Sequence, residues 1–408
     1  MLWLLVVASL VWGAVAVFTA EQHASAASNV MTASEPLTLD AEQIYQSLSD
    51  ADATAANAFL AGGLIPAAKL RQYNADITAA GLRIESASTL TGGPAARSAL
   101  PGGLSSKGEA DSAAIGDDLA ILTADLPVYT GEVATANADN RLGLPLGAAY
   151  LREASGVLRE ELLPSAKDIY TRQNTLLTSA SAQATGLPLL VVTLVLGLAV
   201  CVLLVRSGRW LSRQSHRRIN PGLAAALMVA VVALVWLGAA CMTGRSDLLH
   251  AQQSGSAPAQ RFALADVAAL RAHADESLTL IDNTGDDSYQ ADFVTQQAQV
   301  NTLLGSTGPA AADARAWFAA HKALRAQDDS GEHQGAVASA QTGRSATAFA
   351  ALSADLTGGI TTSQAEFAAS ARGGQDAFTG LAAGLLVAAL LMAAACAWGL
   401  NRRLAEYR

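Results

Sequence analysis

Residues 187–243 read LPLLVVTLVLGLAVCVLLV (187–205), then RSGRWLSRQSHRRINP (206–221), then GLAAALMVAVVALVWLGAACMT (222–243). Two blocks without a charged residue flank a segment holding Arg206, Arg209, Arg213, Arg217 and Arg218 and no acid. Each block has the length a helix needs to cross about 30 Å of hydrocarbon at about 1.5 Å per residue. A buried core helix usually supplies a shorter apolar run, about 10–14 residues. The pattern is a membrane hairpin whose turn is held on the cytoplasmic side by arginine.

Leu2–Ala20 and Ala377–Leu400 are apolar blocks of the same kind. After the last come Arg402, Arg403 and Arg408 against Glu406. The expected order is span one (1–20), an outer segment (21–186), span two (187–205) and a cytoplasmic arginine-rich loop (206–221). Span three (222–243), a second outer segment (244–376), span four (377–400) and a cytoplasmic tail (401–408) follow. Short arginine-rich loops stay inside, so both outer segments are expected to be extracytoplasmic, in a multi-pass protein of the plasma membrane. Ala24-Ser25-Ala26 has the form of a signal-peptidase site. The apolar run before it is longer than an ordinary signal core, so span one is expected to remain as an anchor.

Charged residues make up 15% of the 408-residue chain and hydrophobic ones 51%, with a net charge of −9. The three cysteines, Cys201, Cys241 and Cys396, all fall in spans, so no disulfide framework holds the outer segments. No span carries Asp, Glu, Lys or Arg, which argues against a self-contained pump or channel.

The chain reads as two copies of one unit. Leu10-Val11-Trp12 in span one answers Leu234-Val235-Trp236 in span three. Ala184-Thr185-Gly186-Leu187 at the entrance to span two answers Phe378-Thr379-Gly380-Leu381 at the entrance to span four. Small residues recur at fourth positions: Gly222, Ala226 and Ala230 in span three, and Gly380, Gly384 and Ala388 in span four. Such faces let helices approach closely in lipid.

The outer segments have helical periodicity. Ile44, Leu48, Ala51, Ala55 and Phe59 mark a first helix, stopped by Gly62-Gly63. Pro66 opens a second, with Leu70, Tyr73, Ile77 and Ile84 on one face. Ile115 to Leu126 and Leu151 to Leu176 mark two more. In the second outer segment, Val267 to Ile281, Tyr289 to Leu304, Trp317 to Leu324 and Phe349 to Phe367 repeat the plan. The expectation is an all-α membrane protein with two outer domains resembling four-helix bundles.

Chemistry is scarce. No phosphate loop, H-E-x-x-H or G-x-S-x-G motif occurs. The six histidines (His23, His216, His250, His273, His321, His333) lack partners at metal-ligand spacing. Asp282-x-Thr284-x-Asp286-Asp287 starts like a calcium loop, but position six is not glycine and position twelve is Phe293. No catalytic residue, cofactor or metal site is expected, and the protein is read as a non-enzyme. The candidate contact residues are the five loop arginines on the cytoplasmic side and Asp50, Asp52, Asp286 and Asp287 outside.

Three stretches carry a resemblance. They are Ser49–Ala56 leading to Phe59-Leu60-Ala61-Gly62-Gly63, then Asn140–Arg152, then Asp286–Phe293. With the tandem four-span layout, they resemble the actinobacterial GlnX-like membrane proteins. The resemblance implies a relay between an extracytoplasmic amino-acid-binding lipoprotein and a soluble cytoplasmic Ser/Thr kinase of the protein kinase G type. The N-terminus is short for a four-span member, and the absence of a basic residue before span one suggests a start codon further upstream. No binding residue comes with the resemblance. Two other readings remain at this level: a direct small-ligand sensor, and a structural or transport-accessory subunit.

Overall fold

The structure, a computed structural model, describes residues 2–29, 35–63, 65–92, 106–184, 188–215, 220–282 and 287–405. Asp286, Arg217 and Arg218 lie outside these. Among the described residues every regular element is helical. The protein is an all-α membrane protein with four helices long and apolar enough to cross a bilayer. It divides into two compact units. One comprises residues 1–32, 178–252 and 367–408, and the other 33–177 and 253–366.

The first unit holds the spans: α1 (Leu2–Asn29), α7 (Pro188–Ser215), α8 (Pro221–His250) and α14 (Leu381–Ala405). Lipid tails are as apolar as leucine, so close packing and polar links hold these helices together. Glycine supplies the closeness. A Cβ at Gly222 would stand 2.4 Å from the Gly399 Cα, and one at Gly13 would stand 2.2 Å from the Ala389 Cβ. Each of the paired tryptophans lies over a glycine of the following span. A Cβ on Gly197 would meet Trp12 Nε1 at 2.6 Å, and one on Gly384 would meet the Trp236 ring at 2.3 Å. Polar links also cross the seam. Trp12 Nε1 donates to the Thr193 carbonyl (3.1 Å), Thr19 and Thr193 hydroxyls pair at 2.7 Å, and Asn220 Nδ2 donates to the Gly399 carbonyl (3.0 Å).

The small-residue stripe of span three is such a seam, with Gly222, Ala226 and Ala230 all buried. In span four, Gly384 packs closely but Gly380 does not. Gly380 has φ +75° and no neighbour where a side chain would stand. It serves the turn before α14, because a left-handed φ suits glycine.

The second unit is built from α2 (Glu35–Leu60), α3 (Ala67–Gly92), α4 (Ser106–Arg141), α5 (Leu146–Val157), a π-helical turn (Leu158–Leu162) and α6 (Leu163–Ala184). From the second segment it takes α9 (Ala257–Ile281), α10 (Ser288–Leu304), α11 (Pro309–Asp329), α12 (His333–Gln341) and α13 (Arg344–Asp376). Gly62 and Gly63, at φ +64° and +54°, end α2 where the sequence suggests. The short α12 escapes the periodic reading because its core contacts are alanines, Ala336 and Ala340.

Each outer segment was expected to enclose its own core. In the structure the two share one body. Helix α2 packs against both α3 and α9, and Val267 and Leu278 join the core built by Ile44, Leu48, Leu122, Tyr129 and Leu158. Helices α2 and α9 occupy the centre: residues 51–58 and 272–280 are buried on every side. The apolar stripes Ile44–Phe59 and Val267–Ile281 therefore understate their burial. Alanine and serine between the stripe residues let neighbouring helices cover the remaining faces.

Candidate functional site

Central helices buried all round must place their polar side chains inside. In α2 and α9 these include several acids, and buried acids need partners. Two sites and one cavity result.

The first site is a charge clamp around Arg159, which sits in the π-helical turn. That turn carries an extra residue, and π-bulges often sit at functional positions. The Arg159 guanidinium lies 2.5 Å from Asp275 Oδ1, 3.6 Å from Asp52 Oδ2 and 5.7 Å from the centre of the Tyr289 ring. The Ser155 hydroxyl donates to Asp52 Oδ1 at 2.6 Å. Burial pushes Asp275 up to about 6, even with Arg159 against it. Arg152 pairs with Asp282 at 2.7 Å. Both arginines come from the first segment and bind acids of the second.

The second site is Glu276 on α9, fully enclosed. It accepts from the Ser345 hydroxyl (2.7 and 2.9 Å), lies 2.8 Å from His321 Nδ1 and has His273 Nδ1 at 3.6 Å. Burial would raise its pKa, but the imidazoles of His273 and His321 outweigh burial and hold it down at about 2. His321 stacks on Phe293 at 3.5 Å and His273 on Phe349 at 4.0 Å. Ser345 donates to the carboxylate and not to an imidazole, so no activated nucleophile is formed.

Beside these lies a cavity of about 490 Å³ between α2, α3, α9, α12 and α13, with Asp50, Lys69, Gln72, His273 and Phe349 in its wall. Gln72 Nε2 reaches both Asp50 oxygens at 3.3 Å. Burial raises the Asp50 pKa, with Gln72, His273 and Lys69 opposing. Further carboxylates extend this field. Asp76 rises to about 7 through burial and Asp50, and Asp266 to about 7 through burial, eased by Gln46. Glu42 rises to about 7 through burial and Asp266.

The candidate contact residues separate. Asp52 is 3% exposed and held by Ser155 and Arg159, so it is an internal link and not a surface for a partner. Asp50 opens on the cavity. Asp287 is exposed at the start of α10. Arg206 and Arg209 are exposed on α7, and Arg213 lies on the same helix. The sequence reading missed Arg159, Asp275, Glu276 and Lys69. The available signal was an acid within an alanine-rich run that has no polar face to hold it, as in Ala274-Asp275-Glu276-Ser277. Among the described residues, no group of three or more His, Cys, Asp or Glu side chains could hold a metal ion.

The quoted resemblance stretches have structural roles. Asn140 Nδ2 donates to the Phe59 carbonyl at 3.0 Å, Gly143 turns the chain at φ +69°, and Gly147 lets α5 approach the Ala136 carbonyl. No curated protein and no solved structure matches the chain. Residues 26–182 match the family model of the actinobacterial sensor domain, which supports a sensing role in a protein of actinobacterial type.

Proposed function

We propose that the protein is a non-enzymatic transmembrane signal relay. It passes extracytoplasmic amino-acid or nutrient status to a cytoplasmic Ser/Thr kinase of the protein kinase G type, with an amino-acid-binding lipoprotein as its outer partner. The observation that carries this reading is the sensor-domain match in a segment flanked by spans that hold no ionisable residue. The arginine-rich loop 206–221 is too short for a kinase or ATPase, and in this reading it is the contact for a separate protein that carries the output. The positive-inside rule supports extracytoplasmic placement of both outer segments. The signal is a displacement of the helices that lead into the spans, typically about 1–2 Å in such switches.

The test is cross-linked co-purification of tagged full-length protein from its own membranes. Arg206, Arg209, Arg213, Arg217 and Arg218 are kept or changed to Gln, and a cysteine-accessibility control verifies topology. Recovery of a binding lipoprotein and a kinase, with the kinase alone lost in the Gln variant, supports the relay. Recovery of a permease, or of neither partner, overturns it. A second reading, direct sensing of a small ligand by the outer body, is favoured by the cavity at Asp50 and Lys69.

A further inference from the structure

Two hollows of the outer body present opposite charges: the cavity at Asp50, and one of about 680 Å³ with Arg261, Asp355 and Glu366 in its wall. A neighbouring hollow of about 450 Å³ is lined by Leu70, Tyr73, Ile77 and Val133, with Arg141 as its charged group. The Asp50 cavity brings a carboxylate and an ammonium group to one space. Asp50 stands on α2 and Lys69 on α3, and among the described residues Lys69 forms no ion pair. The groups are close enough to influence one another but do not neutralise each other in contact.

Asp50 keeps acceptor capacity. A carboxylate offers about four lone-pair positions, and Gln72 Nε2 occupies them from 3.3 Å with one amide group. Thr54 also bonds the Asp50 carboxylate, while the stacked His273 and Phe349 rings and Leu270 form the apolar part of the wall. A volume of about 490 Å³ falls in the range of small-molecule pockets, about 300–1,000 Å³. Such sites fix a ligand through convergent polar groups, and here polar side chains share the wall about equally with apolar ones.

We infer that this cavity binds a small organic zwitterion, its ammonium group on Asp50 and its carboxylate on Lys69. A ligand with both charges meets both wall groups at once. A singly charged ligand leaves one of them without a partner. The inference rests on the sensing reading above and names the ligand class for it. It also gives a route for the signal. Phe349 and Ser353 lie on α13, which precedes span four, and His273 lies on α9, which follows span three through a π-helical turn (Ala251–Ser256). His273 stands next to Glu276, which Ser345 of α13 holds. Occupancy of the cavity therefore acts on a charge network that joins the two helices.

The test uses purified full-length protein in lipid nanodiscs and isothermal titration calorimetry. The probes are glycine, β-alanine, γ-aminobutyrate, 5-aminovalerate and the standard α-amino acids. Butylamine and butyrate serve as singly charged controls. Saturable binding of at least one zwitterion is expected, with both controls weaker by about tenfold or more, since each loses a charge-assisted contact. Asp50→Asn and Lys69→Met should each weaken that probe by a similar factor. Ala350→Phe should abolish binding by narrowing the cavity while leaving both charges in place. Circular dichroism verifies the fold of each variant. The inference is overturned if no zwitterion binds, if butylamine or butyrate binds as well, or if Ala350→Phe binds normally. None of these readouts involves a kinase or lipoprotein, so the co-purification result stands or falls separately.

Discussion

The spans and the body formed by residues 33–177 and 253–366, the outer body of the proposal, use one alanine-rich vocabulary for opposite ends. In the span unit, Phe18, Val195, Leu198 and Val235 are more than half exposed, while glycine, alanine and threonine share the seam with a minority of large side chains such as Trp12, Leu237 and Leu385. In the outer body Leu, Ile and Phe turn inward, and they share the centre with Asp52, Asp266, Asp275 and Glu276. Bilayer contact removes the hydrophobic drive between spans and leaves packing at close approach. Water restores that drive in the outer body, which frees its central helices to carry buried charge where a partner is at hand. Buried ions are weak evidence for stability, but removing one partner is costly. The outer body therefore depends on its polar links as sharply as the spans depend on their glycines.

The outer body depends most on its polar links at Arg159. Arg159→Met strands Asp275 and Asp52 in the interior and should lower stability by about 3–5 kcal/mol. Denaturant titration of the protein in detergent measures it. Adding Asp52→Leu and Asp275→Leu to the same chain should restore most of the loss, because the uncompensated charges are then gone. A single-variant loss below about 1 kcal/mol would mean that burial alone holds the two segments together.

The matching perturbation in the spans is Gly222→Leu. The obstacle is the Gly399 backbone, which cannot rotate away as a side chain could. Overpacking costs about 1–3 kcal/mol, and the upper end is expected here. Thermal unfolding in nanodiscs, with disulfide trapping between cysteines placed on α8 and α14, should show the two helices driven apart. An unchanged trapping rate would show that the seam is looser than its glycines suggest.

How far the sequence carried these contrasts depends on the solvent. The spans were legible because bilayer thickness dictates length and forbids charge, so four blocks and five loop arginines sufficed. Their close contacts were partly legible: the Gly222–Ala226–Ala230 stripe is a seam, but Gly380 has the same spacing and serves a turn. In the outer body, Gly62-Gly63 and the Ile44–Phe59 stripe located the first helix well. The merging of two segments into one body was not legible, because an all-round buried helix of alanine and small or polar residues looks like a weakly amphipathic one. Asp50 and Asp52 had the same surface reading. Two residues apart on a helix, they face different neighbours, and one lines a cavity while the other meets Arg159.

The outer body should also respond to pH where the spans do not. Glu42 titrates at about 7 in the fold against 4.5 as a free side chain, through burial and Asp266. A carboxyl whose folded pKa is raised contributes stability below its unfolded value and loses it as pH rises through the folded one. Stability should therefore fall between about 4.5 and 7, with Asp266 and Asp76 acting in the same direction. Glu276 acts oppositely: its contribution is present above 4.5 and is lost as pH falls through about 2. The two windows do not overlap. Glu42→Gln should flatten the decline and stabilise the protein at pH 8 by on the order of 2 kcal/mol. Equal pH profiles for the two proteins would place Glu42 in contact with water.

The smallest effect tests whether polar links in the spans matter at all beside close packing. Trp12 does both: its ring covers Gly197, and its Nε1 donates to the Thr193 carbonyl. Trp12→Phe keeps an aromatic ring and removes the donor. That carbonyl also has its place in the α7 backbone ladder, so it is not left bare. The loss should be about 1 kcal/mol, the usual net value of one hydrogen bond. Trp236 provides the control. It covers Gly384 by ring contact, so Trp236→Phe should cost less if the donor is what matters at position 12. Unfolding of both variants side by side in nanodiscs decides the point. Equal losses would mean that the two tryptophans act through shape alone, and that the span unit is held by packing throughout.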